Sequence, residues 1–356
     1  MPRIQPTKLV SPPPTNASRN VSKAATIKDV AKRAGVSYQT VSRVINDHKS
    51  VKLETRSRVQ EAIKAFNFHP NNAARRLASP RPTTIGIISF GTTHYGPSQM
   101  VSSIEQAART RGYGLCYANL SALSIQELTD AIQTLRRQSV DGLLIVAPLL
   151  EVESASIGKL CPALPFVLID AETSTKLPFS SIDQFMGGRL AAQHLIELGH
   201  QRIALLNGPQ NWYDAKLRNQ GWRSALHEAR LEPLAEIEGN WSAASGYEAT
   251  QKLLKLKRNF SALLVGNDQM ALGALRALHE HDFKIPEDVS IIGFDNMLES
   301  AYFEPPLTTV HQDFLTLGQR SLEQLIALIE KPELAPRMQV IAPSLVVRSS
   351  TAAPQK

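Results

Sequence analysis

Short apolar runs alternate with helix-like stretches from residue 84 onwards, and this alternation restricts the fold more than any other feature. The runs are apolar at successive positions, which is typical of strands buried on both faces of a sheet. Strands that alternate with helices predict a parallel, doubly wound α/β sheet. The predicted strands of the first such unit are 84–89, 114–118, 142–146 and 166–170.

The pattern begins again near residue 187, so we predict a second α/β unit. Its predicted helices and strands are 187–198, 202–206, 218–229, 262–265, 270–279 and 289–293. A last helix, 317–329, and a last strand, 339–347, are expected to close this second unit. The larger part of the chain is therefore predicted to hold two doubly wound parallel-sheet subdomains.

Polar residues follow three of the predicted strands. Asp170, Asn267 and Asp295 stand at or just past the carboxyl ends of their strands. In open α/β sheets, ligands bind in the crevice outside the carboxyl ends of the strands. Each residue alone has an ordinary explanation as a loop cap, but together they predict a ligand site between the two units.

The N-terminal region has a different pattern, centred on two short helices joined by Gly35. Thr26 and Asp29 fit a capping box at the start of the first helix. Val30 and Ala34 give that helix an apolar face, and Gly35 supplies the tight turn. A helix, a turn that contains glycine and a second helix are the sequence form of a helix-turn-helix.

The second helix of this pair follows Ser37, whose hydroxyl can cap its N-terminus. Val41, Val44 and Ile45 recur at spacings of three and four, which predicts a buried stripe. Glutamine and arginine side chains form paired hydrogen bonds with base edges in a major groove. This helix is therefore predicted to read DNA, and two ordinary packed helices are the alternative. The residues on its opposite side are Tyr38, Gln39, Ser42 and Arg43.

Positive charge is concentrated in the same part of the chain. Residues 1–80 carry 15 Lys and Arg against 4 Asp and Glu, whereas the remaining residues carry 24 against 28. A basic head on a mildly acidic body indicates that only the head meets a polyanion. A third helix near residue 55, with Val59 and Ile63 on one side, is expected to complete a small three-helix core.

Residues 70–82 connect the head to the α/β region, and Pro70 and Pro80 bracket a helix-prone segment. This segment is shorter than the roughly 12–15 residues that an isolated helix needs in water. Leu77 is its one large apolar side chain. We predict either a plain linker or a hinge that becomes helical on DNA and presents Leu77 to the minor groove.

Several classes of protein do not fit this sequence. Cys116 and Cys161 give neither a disulfide framework nor a zinc site, and they favour a reducing interior. No apolar run reaches the roughly 18 residues of a membrane span, and residues 1–22 lack the apolar part of a secretory signal. These 22 residues are expected to form a disordered arm. We find no dinucleotide fingerprint, no nucleophile–base pair and no metal-ligand cluster, so we expect a cytoplasmic non-enzyme without cofactor or metal.

Several motifs in one order make the chain resemble the lactose repressor family of bacterial transcription regulators, over nearly its whole length after residue 24. The resemblance implies a helix-turn-helix head on a core like that of periplasmic binding proteins, and it is closest to the lactose repressor branch. The stretches that carry it are 27–37 and 40–44 in the DNA-binding signature, 71–77 in the hinge helix, and 187–191, 198–204 and 306–310 in the regulatory core.

The resemblance also implies how the chain is divided. No heptad pattern follows Val347, so a homodimer is expected rather than a larger coiled-coil assembly. The expected parts are a disordered arm at 1–22, a helix-turn-helix domain at 23–69, a hinge helix and linker at 70–82, a sugar-binding and dimerisation core of two interleaved subdomains at 83–347, and a tail at 348–356.

The same resemblance implies which residues bind. Tyr38 and Gln39 match positions that help to select operator bases, and Arg218 can donate a planar fork to adjacent sugar oxygens. Phe90 and His94 replace smaller or apolar groups, so they are expected either to narrow the pocket or to change which sugar substituents fit. The implied DNA contacts are Thr26, Ser37, Tyr38, Gln39, Thr40, Ser42, Arg43, Asn46, Asn71, Ala74 and Leu77. The implied ligand contacts are Pro97, Asp170, Arg218, Trp241, Asn267, Asp295, Gln312 and Phe314.

These residues predict a sequence-specific transcriptional repressor that binds a pseudo-palindromic DNA operator as a homodimer. A small sugar is expected to control its affinity for the operator, with a galactoside inducer as the implication of the resemblance and a corepressor as the alternative. From another class, a solute-binding component of sugar transport or chemotaxis would share the core fold. The basic head and the missing export signal argue against such a solute-binding component.

Overall fold

The computed structural model of the protein describes residues 25–45, 48, 50–66, 68, 84–148, 151–171, 177–256, 259–335 and 337–355. The chain divides into two compact units, residues 1–81 and 82–356. The predictions for the arm at 1–22, for Asn46, and for the hinge with Asn71, Ala74 and Leu77 lie outside the described residues.

Three helices form the head: α1 (Ile27–Ala34), α2 (Tyr38–Ile45) and α3 (Leu53–Ala65). The predicted capping box is confirmed, because the Thr26 N–H donates to the Asp29 carboxylate at 2.8 Å and the Thr26 hydroxyl accepts from the Asp29 N–H. Gly35 has a φ of 64°, which a glycine adopts at low cost. The predicted stripes meet in one small core of Val30, Ala31, Ala34, Val41, Val44, Val59 and Ala62.

The first lobe of the larger unit is a parallel sheet of six strands, ordered β11-β5-β4-β3-β1-β2. Three of its helices follow strands of this sheet, as the alternating pattern predicts. The strands are β1 (Thr84–Phe90), β2 (Gly114–Leu120), β3 (Gly142–Val146), β4 (Phe166–Ile169), β5 (Phe179–Ile182) and β11 (Met338–Ile341). The helices are α4 (Tyr95–Thr110), α5 (Ile125–Arg137), α6 (Glu151–Leu160) and α11 (Phe314–Glu330).

The second lobe is another six-stranded sheet, ordered β12-β10-β9-β8-β6-β7, in which only β12 runs antiparallel to its neighbour. The predicted fold class, a helical head and two doubly wound subdomains, is confirmed. The strands are β6 (Ile203–Asn207), β7 (Ala235–Glu238), β8 (Ala262–Val265), β9 (Ser290–Asp295), β10 (Thr308–His311) and β12 (Ser344–Val346). The helices are α7 (Gln184–Glu197), α8 (Tyr213–Glu228), α9 (Ala243–Leu256) and α10 (Asp268–His279).

The C-terminal elements depart from the prediction. The last helix, α11, does not close the second unit, because Leu317, Leu322 and Leu325 are buried in the first lobe. The single predicted strand at 339–347 is two strands, of which β11 pairs with β5 in the first sheet and β12 with β10 in the second. Periodicity identifies a helix or strand but does not say which sheet it joins.

The chain consequently passes between the lobes three times, between β5 and α7, between β10 and α11, and between β11 and β12. The first and third crossings lie side by side, since the Asp183 N–H donates to the Ile341 carbonyl at 2.9 Å. Residues that lie in these crossings are placed to connect a ligand in the cleft with the relative position of the lobes.

The C-terminal segment, which was expected from the sequence to be a tail, packs on the second lobe. Ser350 is fully buried, and its hydroxyl donates to the Ile291 carbonyl at 2.6 Å. The Ala352 carbonyl lies 2.9 Å from Nε2 of the buried His200. Polar side chains that each find a buried partner let this short segment lie against the sheet despite its composition.

Close helix packing in the second lobe depends on Gly273. A Cβ atom there would lie 1.9 Å from the Ala243 carbonyl oxygen, a backbone atom of α9. Gly273→Ala is therefore expected to lower the free energy of unfolding by about 1–3 kcal/mol, although alanine favours the helix. Gly158→Ala is the control, since its Cβ would meet only Leu177, at 3.7 Å. Denaturant unfolding of both variants checks this, and equal stabilities would contradict it.

Candidate functional site

Arg218 is the centre of the cleft between the lobes. It lies on the buried face of α8, and its guanidinium stands 3.9 Å from the centre of the Phe294 ring. Nη1 donates to the Gly266 carbonyl at 2.6 Å, and Nη2 lies 3.4 Å from Oδ2 of Asp214. These contacts hold the planar fork in one orientation, with Asp295 at 3.8 Å.

Two glutamines link this arginine to Asp295: Gln312 lies in the second crossing, and Gln184 begins α7 directly after the first. Arg218 Nε donates to Gln184 Oε1 at 2.9 Å, and Gln184 Nε2 donates to Gln312 Oε1 at 2.8 Å. Gln312 Nε2 then donates to Asp295 Oδ1 at 2.6 Å. Since Asp295 also faces Arg218, the four side chains form a buried ring, which we call the polar ring. It connects groups at the carboxyl ends of the second lobe's strands to two of the three crossings.

The two carboxylates predicted at strand ends are both buried. Burial raises the pKa of Asp170 to about 7 and that of Asp295 to about 8, against the opposing effects of their hydrogen-bond partners and Arg218. Asp170 Oδ1 accepts from the Ser181 hydroxyl at 2.5 Å. Asp170 comes from the first lobe and Asp295 from the second, so the predicted site is brought together across the cleft.

Trp241 and Asn267 complete the side of the site formed by the second lobe. The Asn267 side chain donates to the Trp241 carbonyl at 3.1 Å, and its oxygen caps α10 by accepting from the Met270 N–H. The Arg218 guanidinium lies 5.3 Å from the Trp241 ring centre. Trp241, Asp170 and Asp295 all have positive φ, a strained backbone conformation that often marks functional positions.

The first lobe contributes Pro97 and Phe314, both predicted from the sequence. Pro97 lines two small cavities of the cleft, and Phe314 starts α11 with its ring 6.1 Å from that of Tyr95. Burial, followed by the nearby Asp295 carboxylate, raises the pKa of Tyr95 to about 12. All eight predicted ligand residues therefore lie in or beside one cleft.

The cleft is nearly filled by aromatic side chains. Its two cavities measure about 20 Å³ each, whereas pockets for small ligands typically measure about 300–1,000 Å³. The Trp212 ring lies 5.5 Å from both Phe90 and His94 and 5.8 Å from Trp241. Phe90 and His94 contact Trp212, whose ring takes up space in the cleft, and their effect on which sugar fits stays a prediction. The space is too small to admit a sugar unless these rings move or the lobes separate.

Three residues of the site were not predicted from the sequence: Gln184, Trp212 and Asp214. Gln184 is fully buried at the start of a helix, and Trp212 and Asp214 stand at the beginning of α8. One signal was available, because Asp214 precedes Arg218 by four residues, the spacing of an ion pair on one helix face. No comparable local pattern distinguishes Gln184 from an exposed residue.

On the head, α2 presents the predicted reading residues to solvent. Tyr38 is 56% exposed, and Gln39 and Arg43 are exposed as well. Ser37 accepts a hydrogen bond from the Thr40 N–H at 3.1 Å, so it fixes the start of the helix. Thr26 and Ser37 are exposed, whereas Thr40 and Ser42 are partly buried.

The described residues contain no helix with the length and apolar character to cross a membrane. They also contain no group of three or more His, Cys, Asp or Glu side chains arranged to hold a metal ion.

Comparison with known proteins gives two family matches. The model of bacterial regulatory proteins of the lacI family matches residues 26–71, and the model of the periplasmic binding protein-like domain matches residues 192–351. The chain is 37% identical to the lactose operon repressor of Escherichia coli (strain K12), over 93% of this chain and 92% of that protein. It is 34% identical to the ribose operon repressor of the same strain, over 92% and 99%.

A solved structure extends these matches to three dimensions. The lac repressor dimer bound to operator and the anti-inducer ONPF superposes with a TM-score of 0.87 at 37% identity, over 93% of this chain and all of that chain. The similarity therefore spans both the head and the two-lobed core.

Proposed function

The chain belongs to the lacI family of bacterial regulatory proteins, and from that premise we propose that a small sugar bound at the polar ring controls its affinity for an operator. It is a DNA-binding transcriptional repressor with a sugar-binding domain, and the relatives named for it are operon repressors. These relatives are repressors and not enzymes. The head, matched at residues 26–71, favours this function over a transport component with the same core.

The observation that carries the proposal is the polar ring. Gln312 lies in one chain crossing and Gln184 begins the helix that follows another, and together they link Arg218 to Asp295 through three hydrogen bonds. A sugar that hydrogen-bonds to Arg218 and Asp295 would compete with or reinforce these contacts. Because the same glutamines lie where the chain passes between lobes, the ligand would favour one arrangement of the lobes over another.

We assign binding of the sugar to the predicted residues by their chemistry. Asp170 and Asp295 accept hydrogen bonds from hydroxyl groups, and Arg218 and Asn267 donate to ring or hydroxyl oxygens. The Trp241 ring offers an apolar face to the C–H groups of a pyranose, and Pro97 and Phe314 close the opposite side. Gln312 positions Asp295 by its hydrogen bond at 2.6 Å.

The domain division expected from the sequence completes the proposal. Two copies pair through the core at 83–347, each with a head at 23–69 and a hinge at 70–82, on a pseudo-palindromic operator. Tyr38, Gln39 and Arg43 read bases, assisted by Thr26, Ser37, Thr40, Ser42 and Asn46, while Asn71, Ala74 and Leu77 act in the hinge. The ligand changes operator affinity only by its preference for one state, typically about 1–3 kcal/mol.

A galactoside is the first effector to test, because the chain is 37% identical to the lactose operon repressor of Escherichia coli. The ribose operon repressor is nearly as similar, so ribose is the second. The operator is first selected from random-sequence DNA with the full chain. Gel shifts with galactose, methyl β-galactoside, ribose and cellobiose then follow.

We expect one sugar to change operator affinity by roughly 5- to 150-fold. Weaker binding identifies an inducer, and tighter binding identifies a corepressor. Selection that enriches no palindromic site would contradict the repressor assignment for this head. A selected site whose affinity no sugar alters would contradict the effector site.

A further inference from the structure

Two carboxylates from opposite lobes, the buried Asp170 and the partly buried Asp214, each have one oxygen in contact with a protein group and one oxygen without a partner among the described residues. Asp170 Oδ1 accepts from Ser181, and Asp214 Oδ2 faces Arg218. Oδ2 of Asp170 and Oδ1 of Asp214 are buried, and within the part of the chain that the structure describes neither has a hydrogen-bond partner. A buried polar atom without a partner is costly, so both oxygens call for a donor.

Both residues line the same cavity, of about 20 Å³, together with Pro97, Met100 and Trp212. Among its described lining residues, Arg218 is the only lysine or arginine. Its donors are already directed at Gln184, the Gly266 carbonyl and the aspartates. The described lining of this cavity therefore offers no uncommitted lysine or arginine to the two free oxygens, and His94, which interacts with Asp214 from the adjoining cavity, has its pKa lowered by burial. A ligand that enters here is expected to bring hydrogen-bond donors.

A further polar atom without a partner in the described part of the chain belongs to Trp241, which lines the adjoining cavity. Trp241 is 3% exposed, and its indole N–H has no acceptor among the described residues. This second cavity shares Pro97, Trp212, Asp214 and Arg218 with the first. A ligand that spans the two cavities would meet acceptors at one end and a donor at the other.

We propose that Asp214 and Asp170 form a donor-recognising subsite, which binds two hydrogen-bond donors on one edge of the effector, and that Asp214 determines the specificity of that edge. Two neighbouring hydroxyl groups or one amino group supply this chemistry. The inference rests on the proposed sugar response and adds a residue that neither the strand-end pattern nor the family resemblance singled out.

The position of the two aspartates also gives the subsite a role in closing the cleft. Asp170 lies in the first lobe and Asp214 in the second, and burial raises the pKa of both, so two ionised carboxylates would repel one another and are disfavoured in the closed cleft. The pKa of Asp170 is raised chiefly by burial and further by the Asp214 charge, which agrees with this arrangement. Donors that bridge the two carboxylates replace the repulsion with hydrogen bonds and hold the lobes together.

The test uses titration calorimetry of the full chain with galactose, glucose and ribose and with their deoxy and amino derivatives. At the carbon whose hydroxyl donates to the subsite, removal of that hydroxyl is expected to weaken binding of the sugar to the unmodified protein by about 10- to 100-fold. In Asp214→Leu this penalty should disappear, so that parent and deoxy sugars bind alike. Asp130→Asn, which alters an exposed aspartate on α5, should keep the full penalty.

The amino derivatives distinguish the two sources of donors. If an amino group is the natural donor, the amino sugar binds more tightly than its parent, and Asp214→Asn removes the advantage. If neighbouring hydroxyls are the donors, the parent binds more tightly than the amino sugar, and both exceed the deoxy sugar. Thermal unfolding confirms that each variant is folded.

Two results would overturn the subsite while the sugar response stands. One is a deoxy penalty of the same size in Asp214→Leu as in the unmodified protein. The other is equal binding of parent, deoxy and amino sugars at every carbon tested. Failure of every parent sugar to bind the unmodified protein is a different outcome, since it overturns the proposed function itself.

Discussion

Arg218→Met is expected to abolish the sugar response while the protein still binds its operator. The substitution keeps most of the side-chain volume but removes the donors to Gln184, to the Gly266 carbonyl and to the two aspartates. Because the buried Asp295 and the partly buried Asp214 then lose their cation, the free energy of unfolding should fall by about 3–5 kcal/mol. Gel shifts with and without sugar measure the response, and thermal unfolding measures the stability.

A second variant separates loss of the site from loss of the fold. Arg218→Lys keeps the positive charge but has no planar fork, so it should lose less stability and still respond poorly to sugar. Arg276→Met is the matched control, since Arg276 is largely exposed on α10 and pairs with Glu280, four residues later. A normal sugar response in Arg218→Lys would exclude the polar ring as the effector site.

The elements fixed by local chemistry were predictable. Thr26 and Asp29 form their capping box, and Gly35 has the left-handed backbone that the turn requires. These features depend on neighbours within a few residues, so a short stretch of sequence contains all the necessary information. Asp170, Asn267 and Asp295 were predictable for a related reason, since strand ends in an open α/β sheet meet at one edge.

The elements decided by long-range packing were not predictable. Leu317 and its neighbours give α11 an apolar face that would suit either lobe, and only the structure shows it packed on the first. Gln184 belongs to the site because a chain crossing brings it beside Gln312, more than a hundred residues away. Trp212 fills the cleft because Phe90 and His94 meet it from the other lobe.

This difference matters for the choice of effector. The residues that sequence patterns identified, such as Asp170 and Arg218, suit many sugars. The residues that only the structure adds, Trp212 and Asp214, occupy space and present acceptors that would distinguish one sugar from another. If the proposed subsite is right, these two side chains restrict the ligand more than similarity to repressors of lactose and ribose operons does.

Gln39→Ala is expected to change which operators the protein prefers, and not merely to weaken binding. Gln39 is exposed near the start of α2, where a side chain can reach a base edge in the major groove. Loss of one good base contact costs about 1–3 kcal/mol of discrimination, and a dimer loses it twice. Selection from random-sequence DNA should therefore return sites with relaxed preference at one symmetric pair of positions.

Gln60→Ala provides the control, because Gln60 is an exposed glutamine on α3, outside the proposed reading helix. It should return the same operator as the unmodified protein with the same preference at every position. A phosphate contact would behave differently from either, since its loss weakens binding to all sequences equally. If Gln39→Ala selects an unchanged operator, α2 does not read bases through this residue. The orientation of the head on DNA would then have to be assigned through another face.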